Sequence, residues 1–184
     1  LEHAGVSCMS IEDTVLPRPF GQKTAESYTS IEEGAAKLRA AVSAKQDPAF
    51  MIAGRSSSLK SEGLEGALAR FKAYEKTGVD AIFVVGLETL EQIKAIHAAV
   101  KLPIIVGSAP ASIKREDLAP YNVRIMLQGH QPVAAAVKAL QECYSHLFKG
   151  GAPADLKSKI ASNEDMEKLL RADLYKKWQQ DYLK

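Results

Sequence analysis

At 184 residues, with 46% hydrophobic and 25% charged side chains, the chain has the composition of a soluble globular protein and enough length for one sizeable core. Its net charge of +2 is too small to mark a nucleic-acid or anionic-membrane partner. No apolar run approaches the roughly 18 residues of a membrane span, no signal peptide is visible, and the two cysteines form no disulfide framework or metal-ligand spacing, as expected of a reduced, cytoplasmic protein.

Leu1-Glu2-His3-Ala4-Gly5 reads as the tail of a helix closed by glycine. A chain that opens this way, without an initiator methionine, is expected to be the C-terminal part of a longer one. The first predicted strand covers residues 6–11 and stops at Glu12-Asp13. Residues 14–29, with Pro17, Pro19 and Gly21, form a loop of a length that is usually functional or mobile, and Lys23 within it is a candidate contact. Ser30-Ile31-Glu32-Glu33 has the form of a capping box and opens a helix to about Lys45. A second strand at 50–53 runs into Gly54-Arg55-Ser56, and a helix at 63–77 closes on Gly78. A third strand ends at Val85, before Gly86. Thr89-Leu90-Glu91-Gln92 caps the next helix, and a fourth strand at 104–106 precedes Gly107-Ser108. The fifth, at 123–127, is followed by Gln128-Gly129-His130 and a long helix over 131–149. Beyond Pro153 the alternation stops, and residues 163–184 read as one terminal helix containing Trp178.

Short apolar runs separated by helices are the pattern of a parallel sheet, whose interior strands are buried on both faces. Polar groups where such strands stop mark the face on which α/β enzymes place their chemistry. If Glu12 points to the inner face, Cys8 and Ser10 share it, while Met9 and Ile11 face the helices; by the same alternation Arg55 shares a face with Met51 and Ala53. Arg55 offers a planar fork that matches a carboxylate, and Glu12 suits a cation or its bound water. From the residues alone, the two either engage a ligand or neutralise one another. His130 either orients or protonates a substrate oxygen or is an ordinary first residue of a helix. His3, His97 and His146 fall on helices as surface or packing residues, and Asp80, at the start of a strand, serves stability. There is no phosphate-binding glycine loop and no G-x-S-x-G elbow.

The strings Ala4-Gly5-Val6 to Ile11-Glu12-Asp13, Ala53-Gly54-Arg55-Ser56, and Tyr74 with Gly78-Val79-Asp80-Ala81-Ile82-Phe83-Val84 resemble, in order, three motifs of the isocitrate lyase/phosphoenolpyruvate mutase superfamily. The likeness covers about residues 1–150. Glu12-Asp13-Thr14, Leu16-Pro17, Phe20-Gly21 and Gln128-Gly129-His130 look most like its oxaloacetate decarboxylase branch. The resemblance implies an α/β fold, the C-terminal five or so βα units of a (β/α)8 barrel over residues 1–150. A C-terminal helical extension over 151–184 would pack on a neighbouring subunit. It implies a Mg²⁺-dependent lyase, with Mn²⁺ an alternative metal, acting on a small 2-keto dicarboxylic acid. Oxaloacetate would be decarboxylated to pyruvate and CO2 through an enolate, in a cytoplasmic homo-oligomer, dimer or tetramer.

Arg55, His130 and Gln128 are then the substrate-binding residues, Arg55 and His130 the catalytic ones. Glu12 stands in the metal's outer shell, reaching it through water, and the main metal ligands are expected upstream of this chain. The 184 residues alone are expected to be inactive. Two departures bear on substrate. The loop lacks the KKCGH motif of the lyase branch, and the family's Arg-Thr-Asp/Asn-Ala is Arg55-Ser56-Ser57-Ser58. The alternatives are another C–C or P–C bond lyase or hydrolase of the superfamily, of 2-alkylmalate or phosphonopyruvate type, or a non-catalytic relative.

Overall fold

The computed structural model describes residues 1–17, 20–21 and 27–183. They form two compact units, Leu1–Gly129 and His130–Lys184. In the first, strands and helices alternate: β1 (Cys8–Glu12), α1 (Ile31–Ala44), β2 (Met51–Ser56), α2 (Gly63–Glu75), β3 (Ala81–Val84), α3 (Leu90–Ala99), β4 (Ile104–Val106), α4 (Arg115–Leu118) and β5 (Val123–Met126). The strands pair in chain order and every pair is parallel, so all five end on the same side of the sheet.

Burial explains why the interior strands are so apolar. All four residues of β3 and all three of β4 are buried, as strands covered on both faces must be. On one face, Leu38, Phe71, Tyr74, Ile93 and Ile96 from the helices meet Ile52, Ile82, Val84, Ile104 and Val106 from the sheet. Each such buried side chain contributes about 1.5–3 kcal/mol relative to exposure, which makes this face the main source of stability. The opposite face carries only a small cluster, Ala53, Ala81, Phe83 and Ile105. Gly54 lies between the layers because a Cβ there would stand 3.1 Å from Leu38 and 3.3 Å from Tyr74.

Caps fix the helix starts. Ser30 Oγ accepts from the Glu33 amide at 3.1 Å, and Thr89 and Gln92 complete a reciprocal box. At the N-terminal end of the sheet, Asp80 accepts from the Ile52 amide at 2.8 Å and from Lys45 Nζ at 3.2 Å. Its role there is structural, as its place at a strand start predicts. The opening residues make a 3-10 turn, Glu2–Ala4, closed by Gly5 at φ 79°.

The second unit holds α5 (Gln131–Phe148), a 3-10 turn (Pro153–Leu156), α6 (Asn163–Leu169) and α7 (Ala172–Tyr182). The expected single terminal helix is therefore two. Arg171 adopts the left-handed conformation at φ 53° and interrupts the ladder, although its flanking residues keep helical periodicity. Within α7, Tyr175 and Trp178 meet edge to face at 5.3 Å. No helix among the described residues is long and apolar enough to cross a membrane.

Candidate active site

The rim of the sheet begins with alternation along β1. Met9 and Ile11 pack against the helix-side core, which leaves Glu12 on the opposite face. β2 runs beyond its apolar stretch to Ser56, because the ladder is made by backbone groups that polar residues supply equally well. That extension puts Arg55 inside the ladder, in register with Glu12 on β1 and Phe83 on β3. Arg55 Nη2 lies 3.4 Å from Glu12 Oε2, and the guanidinium stands over the Phe83 ring at 5.1 Å. Ser57 Oγ donates to Glu12 Oε1 at 3.1 Å, and Lys37 Nζ donates to the Glu12 carbonyl at 3.2 Å.

The pair keeps contact with water, Arg55 being 35% and Glu12 31% exposed. Ion pairs this wet contribute about 0–1 kcal/mol, so a ligand can rearrange one at small cost. Arg55 Nε, in contrast, is buried and has no hydrogen-bond partner among the described residues. A guanidinium held from one side by a carboxylate and from below by a ring, with a donor left over, is suited to a small anion.

The other two expected site residues follow β5. Gln128 is exposed, two residues past the end of β5, on the side of the sheet where Glu12 and Arg55 also end. His130 is the exposed N-cap residue of α5, without a side-chain cap bond, and belongs to the second unit. Lys23 lies outside the described residues.

A second charged cluster, not anticipated, backs onto the first. Asp13 follows Glu12 and so points to the helix side. Its Oδ2 accepts from Tyr74 Oη at 2.6 Å and pairs with Arg70 Nη1 at 3.2 Å. Arg70 also grips Glu62 through Nε and Nη2 at 2.7 and 2.6 Å, and its Nη1 reaches the Thr29 carbonyl at 2.9 Å. The bond to Arg70 holds the Glu62 carboxyl below the usual carboxylate range, and the same bond raises Arg70 above its ordinary value. Burial, then the bond to Asp13, raises the Tyr74 phenol well above its ordinary value. One sequence signal pointed here. Ala67, Arg70, Phe71 and Tyr74 form the buried stripe of α2, and an arginine in an apolar stripe requires a partner.

The loop between β1 and α1 is closed at its base. Val15 N–H donates to the Ser27 carbonyl and Thr29 N–H to the Asp13 carbonyl, each at 2.8 Å, with Thr14 and Tyr28 bridged antiparallel. A cavity of about 350 Å³ beside this base is lined by Glu12, Thr14, Leu16, Thr29, Glu33 and Lys37.

A divalent cation is not accommodated by these residues alone. Among the described residues no three His, Cys, Asp or Glu side chains gather, and both oxygens of Glu12 are engaged by Ser57 and Arg55. Mg²⁺ takes six oxygens in an octahedron, several of them waters. Glu12 fits the outer edge of such a shell and no more.

Comparison with known proteins gives the family and the fold. An oxaloacetate decarboxylase of Rhodopseudomonas palustris (strain HaA2) is 42% identical over 175 residues, which cover 95% of this chain and 60% of that protein. The chain thus spans about 60% of the length of the curated relatives it matches. A phosphoenolpyruvate phosphomutase from Streptomyces platensis subsp. rosaceus superposes with a TM-score of 0.85 at 22% identity, over 100% of this chain and 66% of that one. A phosphonopyruvate hydrolase in complex with oxalate and Mg++ gives 0.81 at 26%, over 100% and 65%. The open five-stranded parallel sheet is accordingly part of a (β/α)8 barrel, as the family resemblance implies. The phosphoenolpyruvate phosphomutase family model matches residues 1–148, from the turn before β1 to the end of α5. With the family model covering most of the chain and all five strands of the sheet, the chain belongs to the phosphoenolpyruvate phosphomutase family.

Proposed function

We propose that the protein is a carbon–carbon lyase for a small 2-keto dicarboxylic acid, and that its reaction is decarboxylation of oxaloacetate to pyruvate and CO2 through an enolate. One observation carries this reading: Arg55 stands at the rim with a weak, partly wet tie to Glu12 and a buried Nε unpartnered among the described residues. The guanidinium holds a substrate carboxylate bidentately and steadies negative charge as the C–C electron pair moves toward the enolate. Gln128 supplies a further hydrogen bond to the substrate, His130 orients or protonates a substrate oxygen, and the carbon that loses CO2 takes its proton from water to give pyruvate. No covalent nucleophile is needed.

The name of the 42% identical relative supports this substrate. Mg²⁺, or Mn²⁺ in its place, would supply positive charge beside the keto oxygen. Glu12 would touch its hydration shell, and the main ligands would come from residues upstream of this chain. The described residues by themselves supply only the charge of Arg55. We place the enzyme in the cytoplasm as a homo-oligomer, dimer or tetramer, with residues 151–184 reaching a neighbouring subunit. Exposed Leu169, Leu170, Trp178 and Leu183 favour such a contact.

The second reading is a P–C bond hydrolase, favoured by the 26% identical phosphonopyruvate hydrolase. The test is turnover by the full-length protein with Mg²⁺. Oxaloacetate should release CO2, and Arg55→Ala should lower kcat/KM by about 10²-fold or more, as loss of an oriented charge does. Normal turnover by Arg55→Ala would remove the role given to that residue. Phosphonopyruvate turnover without oxaloacetate turnover would favour the second reading.

A further inference from the structure

We propose that Arg70 is a positioning residue that fixes the rim itself, holding Glu12 in place for Arg55 and clamping both feet of the loop over residues 14–29. The inference rests on the reading of Glu12 and Arg55 as the substrate-facing pair. Arg70 touches neither of them. Its guanidinium is 5% exposed and its donors are distributed among three segments of the chain. Nη1 reaches Asp13, the residue after Glu12, and the carbonyl of Thr29, the residue before the α1 cap. Nε and Nη2 take both oxygens of Glu62, and the Tyr28 ring lies against the guanidinium at 5.3 Å.

These contacts close a ring through the site. The Glu62 amide donates to the Ser58 carbonyl at 2.8 Å, at the end of the turn that begins with Ser57. Ser57 donates back to Glu12 Oε1. From Glu12 the path runs along the backbone to Asp13, across Arg70 to Glu62, and through Ser58 and Ser57 to Glu12 again. Strand β1 and the segment after β2 are thereby fixed to one another on the side away from the ligand. The β1–β2 ladder ends at the pair Glu12 and Arg55, so backbone pairing between these two strands does not extend to Asp13 or to Ser57 and Ser58.

Stability is a poor reason for this design. Replacing a buried ion pair with apolar side chains is often neutral or stabilising, whereas its geometry is specific. Arginine is required rather than a cation in general, because only a planar fork serves Glu62 and two further acceptors at once.

The experiment is Arg70→Lys in the full-length protein, which keeps the charge and loses the fork. Amide exchange at Val15 and Thr29, whose N–H groups close the loop base, should accelerate about tenfold or more, while Ile93 and Ile96 in α3 keep their protection. The kcat/KM for the substrate should fall about tenfold or more with unchanged far-UV circular dichroism, as small misplacements of reacting groups do. Unchanged exchange at Val15 and Thr29 would overturn the clamp. Faster exchange with unchanged kcat/KM would overturn the positioning of the rim. Exchange is read without substrate, so a protein that turns over neither oxaloacetate nor phosphonopyruvate fails the proposed function while the clamp is still judged by exchange. Should Arg70→Lys not fold, Glu62→Gln opens the ring on the β2 side only. It should lower kcat/KM and leave Val15 and Thr29 exchange as in the wild type; acceleration at those two amides, or a full kcat/KM, would overturn the ring.

Discussion

Glu12 and Asp13 are neighbours in the chain, both carboxylates, each paired with an arginine at nearly the same distance, 3.4 and 3.2 Å. They differ in water. Glu12 and its arginine are about a third exposed, whereas Asp13 is 2% and its arginine 5% exposed. The same Coulomb attraction is screened on one face of the sheet and strengthened on the other. A single residue step along a strand decides which, because successive side chains point to opposite faces. The wet pair is left adaptable and the dry pair fixed. A binding rim needs the first property in front of the second.

Stability measurements should expose this contrast. Asp13→Ala takes the buried acceptor from Arg70 Nη1 and from the Tyr74 hydroxyl while Arg70 keeps Glu62, and is expected to cost about 3 kcal/mol, while Glu12→Ala should cost about 1 kcal/mol or less. Urea unfolding midpoints compare the two directly, and equal losses would break the contrast. Tyr74→Phe is the next largest. It removes the hydroxyl that donates to Asp13 and should cost about 1–3 kcal/mol, with no matching cost for Ser57→Ala on the wet side.

The smallest effect is in pH. Arg70 lowers the Glu62 carboxyl from its ordinary 4.5, so the contribution of Glu62 is complete above that value and is lost as pH falls through the lower folded value. The stability difference between wild type and Glu62→Gln should therefore be flat above about pH 5 and shrink below it. A difference that grew on acidification would show the opposite sign and remove Glu62 from the clamp.

Much of this was legible in the residues. β3 and β4 appear as apolar runs because interior strands of a parallel sheet are buried by their neighbours and by helices. The Glu12 and Arg55 rim followed from strand ends and alternation. β2 was read too short, since Arg55 and Ser56 carry no apolar signal while their backbones still pair. The terminal segment was read as one helix, since its apolar spacing continues through Arg171 and gives no sign of a left-handed residue there.

The residue pattern carries what is periodic and local: the order of strands and helices, the caps at Ser30 and Thr89, and the faces on which Glu12 and Asp13 stand. Which side chains meet is set by packing. Arg70 and Asp13 are 57 residues apart, and Arg70 and Thr29 are 41 apart. No pattern in the chain specifies such partners. They are set when α1 and α2 dock on the sheet, where the missing Cβ of Gly34 leaves room for the Tyr74 hydroxyl that an added methyl would approach to 2.6 Å. Close packing then leaves the buried arginine one arrangement in which its donors are satisfied, and that arrangement holds the rim.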